Sequence, residues 1–193
     1  MNKYRYMNRS MWRRCRTRVF ICPGLLLVAL LVMDPAIVIS QTCQTSTIVA
    51  TTPTSDFVDH GDGTVTHGKT GLMWKRCSEG TLWNGTSCTG AATQYSWFDA
   101  LRHVGDVNRF GGYAGHADWR MPDVKELNSI MEEQCNYPAA NLEVFPSTWG
   151  WYWSSSPYVA DVTKAWATNF YNVGFIEVRP KFLLEGVRLV RGQ

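Results

Sequence analysis

No Cys-x-x-Cys and no His-x-x-x-His spacing occurs in the chain, so the ligand patterns of a structural zinc site are missing. No serine sits in a Gly-x-Ser-x-Gly context, although four histidines (His60, His67, His103, His116) and the run Ser154-Ser155-Ser156 are present. Without that strained elbow a serine triad has no local signature, and the three serines read as groups that bond neighbouring backbone. Asp56, Asp59 and Asp62 crowd one segment but lack the EF-hand spacing and its closing glutamate. Asp62-Gly63 there is an ordinary turn signal. No cofactor and no metal is expected on these grounds. Internal repeats and low-complexity linkers are also absent.

Long apolar runs are scarce. The uninterrupted core Leu25 to Met33 falls short of the roughly 20 residues that a membrane-spanning helix requires. It follows a segment, Met1 to Arg18, with seven Lys/Arg and no acid, and precedes Asp34-Pro35 and the modest side chains Val38-Ile39-Ser40. That order predicts a secretory leader over residues 1–40, cleaved before Gln41. Counting Val19 to Ile39 as one stretch gives the alternative, a retained anchor. Cleavage leaves no stable membrane span and places the chain in the periplasm, on the cell surface or in the medium.

The formal charge of +3 belongs to the leader. It holds seven of 19 basic residues and one of 16 acids, so residues 41–193 carry 12 Lys/Arg against 15 Asp/Glu. No nucleic-acid footprint remains. Of six cysteines, Cys43, Cys77, Cys88 and Cys135 survive cleavage, an even number in an exported chain. Three pairings are possible. Cys77–Cys88 is favoured because Asn84-Gly85 between them makes a turn, and Cys43–Cys135 then follows by elimination.

Residues 41–55, rich in Thr, Ser and Gln, read as an N-terminal arm ordered by Cys43. A domain over residues 56–193 follows. Gly61-Asp62-Gly63 and His67 to Gly71 are turns around the strand Thr64 to Thr66, and Leu72-Met73-Trp74 begins another. Ser96 with Asp99 caps a helix whose apolar face is Trp97, Ala100, Leu101 and Val104. Asp123 with Glu126 caps a second, carrying Val124, Leu127, Ile130 and Met131 and fading near Cys135. Glu132-Glu133 reads as its solvated face. Strands are expected at residues 151–156, 164–171, 175–179 and 186–191. Helices before antiparallel strands make an α+β class. Trp74, Trp97, Trp119, Trp153 and Trp166 are the expected core rings.

Five motifs now stand in order: Gly61-Asp62-Gly63-Thr64-Val65-Thr66; Thr70-Gly71-Leu72-Met73-Trp74; Asp118-Trp119-Arg120-Met121-Pro122 with Lys125-Glu126-Leu127; Tyr152-Trp153-Ser154-Ser155-Ser156; and Val187 to Gly192. Together they resemble the Lcl C-terminal domain family, named for the C-terminal domain of a bacterial collagen-like adhesin. The resemblance covers about residues 56–192. It implies a fold similar to C-type-lectin-like and formylglycine-generating-enzyme domains: two helices flanking a twisted, mainly antiparallel sheet, with terminal strands adjacent. No collagen-like Gly-x-y tract is present, so the namesake's trimer-forming stalk is missing. No cysteine follows Cys135, which leaves formylglycine-type oxidase chemistry unsupported, and the Glu-Pro-Asn and Trp-Asn-Asp tripeptides of calcium-dependent sugar binding are absent.

The resemblance implies attachment to surfaces. Aromatic and basic residues of the closing third are the candidates for it: Trp149, Trp151, Tyr152 and Tyr158 as stacking or anchoring rings, and Arg179, Lys181, Arg188 and Arg191 as a basic patch on the last strands. The expected function is a non-catalytic binding or adhesion module for a surface polysaccharide or protein. The alternatives are an enzyme on cell-envelope polymers, recognisable by a buried acid pair or Ser–His pair in one concavity, and a structural subunit of an envelope assembly.

Overall fold

The computed structural model describes residues 40–192. The leader expected at residues 1–40 lies outside them except for Ser40. Among the described residues every strand pair is antiparallel, and the strands form four small sheets rather than one. The reason is strand length. Most runs stop after two to six residues at a glycine, proline or Asx turn, too short to carry a wide sheet.

The arm's strand β1 (Thr42–Cys43) pairs with β7 (Cys135–Asn136), and Cys43 faces Cys135 across the ladder to form a disulfide. β2 (Phe57–Asp59), β3 (Thr64–His67) and β4 (Met73–Lys75) make a meander whose open side is taken by β11 (Val190–Arg191). The hairpin of β5 (Leu82–Trp83) and β6 (Cys88–Thr89) turns at Asn84-Gly85, and the Cys77–Cys88 disulfide ties its end. β8 (Trp151–Pro157), β9 (Lys164–Asn169) and β10 (Phe175–Pro180) form the longest ladder.

Helix α1 (Trp97–Arg109) starts at Ser96, whose hydroxyl accepts the Asp99 amide and donates to the Asp99 carboxylate. Trp97, Ala100 and Val104 are buried as expected, but Leu101 is exposed. Helix α2 (Val124–Asn128) has the full Asp123–Glu126 capping box yet ends long before Cys135. It stops at Ser129, whose hydroxyl and amide both donate to the Glu126 carbonyl, and Glu132 beyond it is engaged elsewhere. Its buried carboxylate accepts both backbone amides and both hydroxyls of Thr51 and Thr52, and the Gln134 amide. The solvated face expected for Glu132-Glu133 therefore holds for Glu133 alone.

Two apolar clusters result. One gathers Val65, Trp74, Leu127, Ile130, Phe145 and Phe170 under the meander and α2. The other packs α1 through Trp97, Ala100 and Val104 against Trp119, Trp153 and Val187. Four of the five expected core tryptophans are buried; Trp166 is only half-buried, edge-on to Tyr158 at 5.6 Å. Burying about 200 Å² per ring yields roughly 5 kcal/mol before chain entropy is subtracted.

Candidate functional site

The residues expected to form one binding surface are dispersed. Trp149, 48 % exposed, meets Tyr171 edge to face at 4.6 Å, and Tyr171 meets Tyr137 at 5.1 Å. Trp151 lies elsewhere, with Phe175 at 5.2 Å and the Arg179 guanidinium 4.0 Å from its ring. Arg179 is also paired with Glu185 at 2.8 Å. Burial pushes the Glu185 carboxyl up, and Arg179 only partly offsets this. Tyr158 covers Trp166. Lys181 donates to the Val162 carbonyl at 2.8 Å and sits 4.2 Å from the Trp97 ring. It floors a cleft of about 480 Å³ between Phe98, Val162 and Phe182.

Two expected surface residues are interior. Tyr152 packs on Phe170, and its hydroxyl bonds Ser78 at 2.6 Å. Arg188 is 0 % exposed, so the basic patch on the last strands does not form as expected. Its guanidinium donates to the carbonyls of Lys75 and Arg76 and to the Thr148 hydroxyl at 2.7 Å, between the rings of Phe145 and Tyr152. The alternation Val187-Arg188-Leu189 suggested one solvated face. Here the segment runs between the two clusters, and both of its faces are covered. Arg191, at the end, pairs with Asp118 at 2.7 and 3.0 Å.

The serines act on backbone: Ser154 donates to the Trp166 carbonyl and Ser155 to the Pro122 carbonyl, while Ser156 accepts the Val124 amide. The three aspartates diverge. Asp56 pairs with Lys69, Asp59 with Arg76, and Asp62 accepts from Thr64.

A charged pocket absent from the sequence-based candidates lies beside α1. Glu79 is 3 % exposed and takes Lys75 on one oxygen and His103 on the other, each at 2.7 Å. Burial pushes the Glu79 carboxyl up; the His103 hydrogen bond and the Lys75 charge outweigh it and hold the carboxyl below its ordinary value. His103 stacks on Tyr95 at 4.6 Å, and the Lys75 ammonium lies 4.5 Å from the Tyr113 ring centre. Burial, then the charges of Asp62 and Glu79, raise the Tyr113 hydroxyl above its ordinary value. Lys75, His103, Asp106, Val107, Phe110, Gly112 and Tyr113 enclose about 320 Å³. A histidine oriented by a buried carboxylate can exchange a proton through its other nitrogen. The lining includes no serine, threonine or cysteine to serve as a nucleophile. The only sequence signal was the spacing Lys75-x-x-x-Glu79, and it falls outside any helix.

A family model described as the Lcl C-terminal domain matches residues 63–191. The chain belongs to the Lcl C-terminal domain family. No curated protein matches it. In this Lcl C-terminal domain the motif residues are scaffold. Trp119 is buried and donates its indole N–H to the Tyr113 carbonyl at 3.0 Å. Arg120 clamps both Glu126 oxygens at 2.6 Å. Gly63, the first matched residue, has a left-handed φ of +88°, and a side chain there would overlap the Tyr113 hydroxyl and Trp83.

Proposed function

We propose that this Lcl C-terminal domain is an exported, non-catalytic binding and adhesion module for a surface polysaccharide or protein, built on a C-type-lectin-like scaffold. Family membership supports an adhesion-related role in the coarse sense. The two disulfides suit an oxidising compartment. Among the described residues no helix is long and apolar enough to cross a membrane.

The observation that carries the reading is the ladder Tyr137–Tyr171–Trp149, three successive edge-to-face rings ending in a half-exposed indole. Rings in such an array present apolar faces to sugar C–H groups or fill a partner's pocket, at low entropic cost. The oxidised chain on polysaccharide and protein arrays tests it. Binding is expected, falling about tenfold or more in the double substitution W149A/Y171A. A folded, oxidised protein that binds nothing above background would sink the reading.

A further inference from the structure

We propose that the pocket beside α1 is a second binding site, for a neutral pyranose ring such as a hexose unit of a glycan. It goes beyond the aromatic ladder, sharing no residue with it. Its volume, about 320 Å³, is at the small end of ligand sites and suits a single sugar ring.

Donors and acceptors converge on it. The Lys75 ammonium is 8 % exposed as a residue and has three N–H groups, of which one is spent on Glu79. Among the described residues it makes no other hydrogen bond, so it can donate into the pocket. Asp106 also lines the pocket; its backbone carbonyl takes the Phe110 amide, but its carboxylate has no hydrogen bond or ion pair among the described residues and can accept. His103 spends Nε2 on Glu79, and among the described residues its Nδ1 makes no hydrogen bond. A vicinal diol, donor and acceptor at once, satisfies such a mixed set. A purely apolar ligand would leave the ammonium without its acceptors.

Charge narrows the class further. Lys75 is cancelled by Glu79, and Asp106 adds a negative charge to the same lining. With no net positive field, a carboxylate or sulfate gains little, and a cation meets Lys75. Phe110, 81 % exposed at the end of α1, and Tyr113 offer flat apolar walls to the C–H face of a sugar.

The site is preformed. Gly112 takes φ +73° with its amide on the Val107 carbonyl, and a side chain there would overlap the His116 backbone. Tyr113 is held by its hydroxyl on the Asp62 carbonyl at 3.1 Å and by its own carbonyl on Trp119. Little ordering entropy is left for a ligand to oppose.

The test is an amide-shift titration of the oxidised, isotope-labelled chain with the methyl pyranosides of glucose, galactose and mannose. Cyclohexanol supplies a ring without vicinal hydroxyls, and methyl glucuronoside supplies the same ring with a charge. Saturable shifts at Phe110, Gly112 and Tyr113 are expected for at least one neutral pyranoside. They should weaken about tenfold in D106A and in F110A, both exposed positions whose folding near-ultraviolet dichroism checks. W149A should leave the titration unchanged, so failure of the ladder and failure of the pocket are read separately. No pyranoside shift, shifts that ignore both substitutions, or equal shifts with cyclohexanol would overturn the proposal. Tighter binding of the glucuronoside than of its neutral parent would overturn the neutral class.

Discussion

Arg188 is a full charge in the interior with no carboxylate hydrogen-bonded to it among the described residues. Burial pulls its guanidinium below the ordinary value. What holds it is a set of carbonyls and hydroxyls from the strand and loop at Lys75 to Ser78 and from Thr148, so one side chain fastens its own segment to two distant ones. Arg188→Met should cost about 3 kcal/mol in denaturant unfolding, because the acceptors stay buried without a donor. An unchanged midpoint would refute that accounting. Glu132 is the acidic counterpart. Burial pushes its carboxyl up, and the amides of Thr51, Gln134 and Thr52 more than reverse this, so its pKa is lower folded than unfolded. The sign follows: its contribution is present above the ordinary value of 4.5 and is lost as pH falls through the lower folded value. Stability measured from neutral pH downward should therefore drop less steeply in E132Q than in the parent. Glu185, raised when folded, contributes with the opposite sign, which is why the difference between the two proteins is the quantity to read. Neither Arg188 nor Glu132 was legible in sequence. Alternation and helix period report which side of an element a residue takes, and here both sides are covered or the element has already ended.

At the scale of elements, local chemistry was the legible part. Both helix starts, the Asn84-Gly85 hairpin and the Gly61-Asp62-Gly63 turn form as expected, because each is decided within a few residues. α2 shows how much rests on this. Five residues cannot sustain a helix by propensity. Its first turn is held by Asp123, which accepts the Lys125 and Glu126 amides, and by Arg120 gripping Glu126. Asp123→Ala should cost about 1 kcal/mol, and Asp123→Asn markedly less, by thermal or denaturant unfolding. Equal losses would show that charge rather than capping geometry matters. Elements defined by distant partners were not legible. The closing segment looked like a six-residue strand, but only Val190–Arg191 forms one, on β4, while Gly186 makes a single parallel bridge to Tyr152 of β8. The pocket was hidden for the same reason. Lys75 ends β4, His103 is on α1, and only the path of the chain between them brings both to Glu79.

At the scale of the molecule, the two expected disulfides are present, and they differ in reach. Cys77–Cys88 closes 11 residues and Cys43–Cys135 closes 92. On chain entropy the first contributes about 3 kcal/mol and the second about 4.6 kcal/mol. Paired Cys→Ser substitution should therefore lower stability more for the long loop, as chemical denaturation would reveal; the reverse order would mean that native contacts, not loop length, set the effect. Intact mass before and after reduction is expected to show a chain beginning at Gln41 with two disulfides. A retained leader or four free thiols would overturn the expected export. The single twisted sheet was the larger misreading. Strand runs were placed well, but how short strands distribute among sheets depends on side-chain partners such as Arg188 and Glu132.

The long disulfide also has a mechanical meaning. The arm enters with the Gln41 amide on the carbonyls of Pro138 and Ala140, and two residues later reaches a covalent bond to Cys135. Tension applied from the N-terminal side would peel only those first hydrogen bonds before meeting Cys43. From there the load passes through sulfur to Cys135 and bypasses the meander, the short hairpin and α1. Everything between the two cysteines, including the pocket beside α1, is then shielded from the pull. A domain that grips a surface while its own N-terminal side is dragged would hold its ligand geometry under strain.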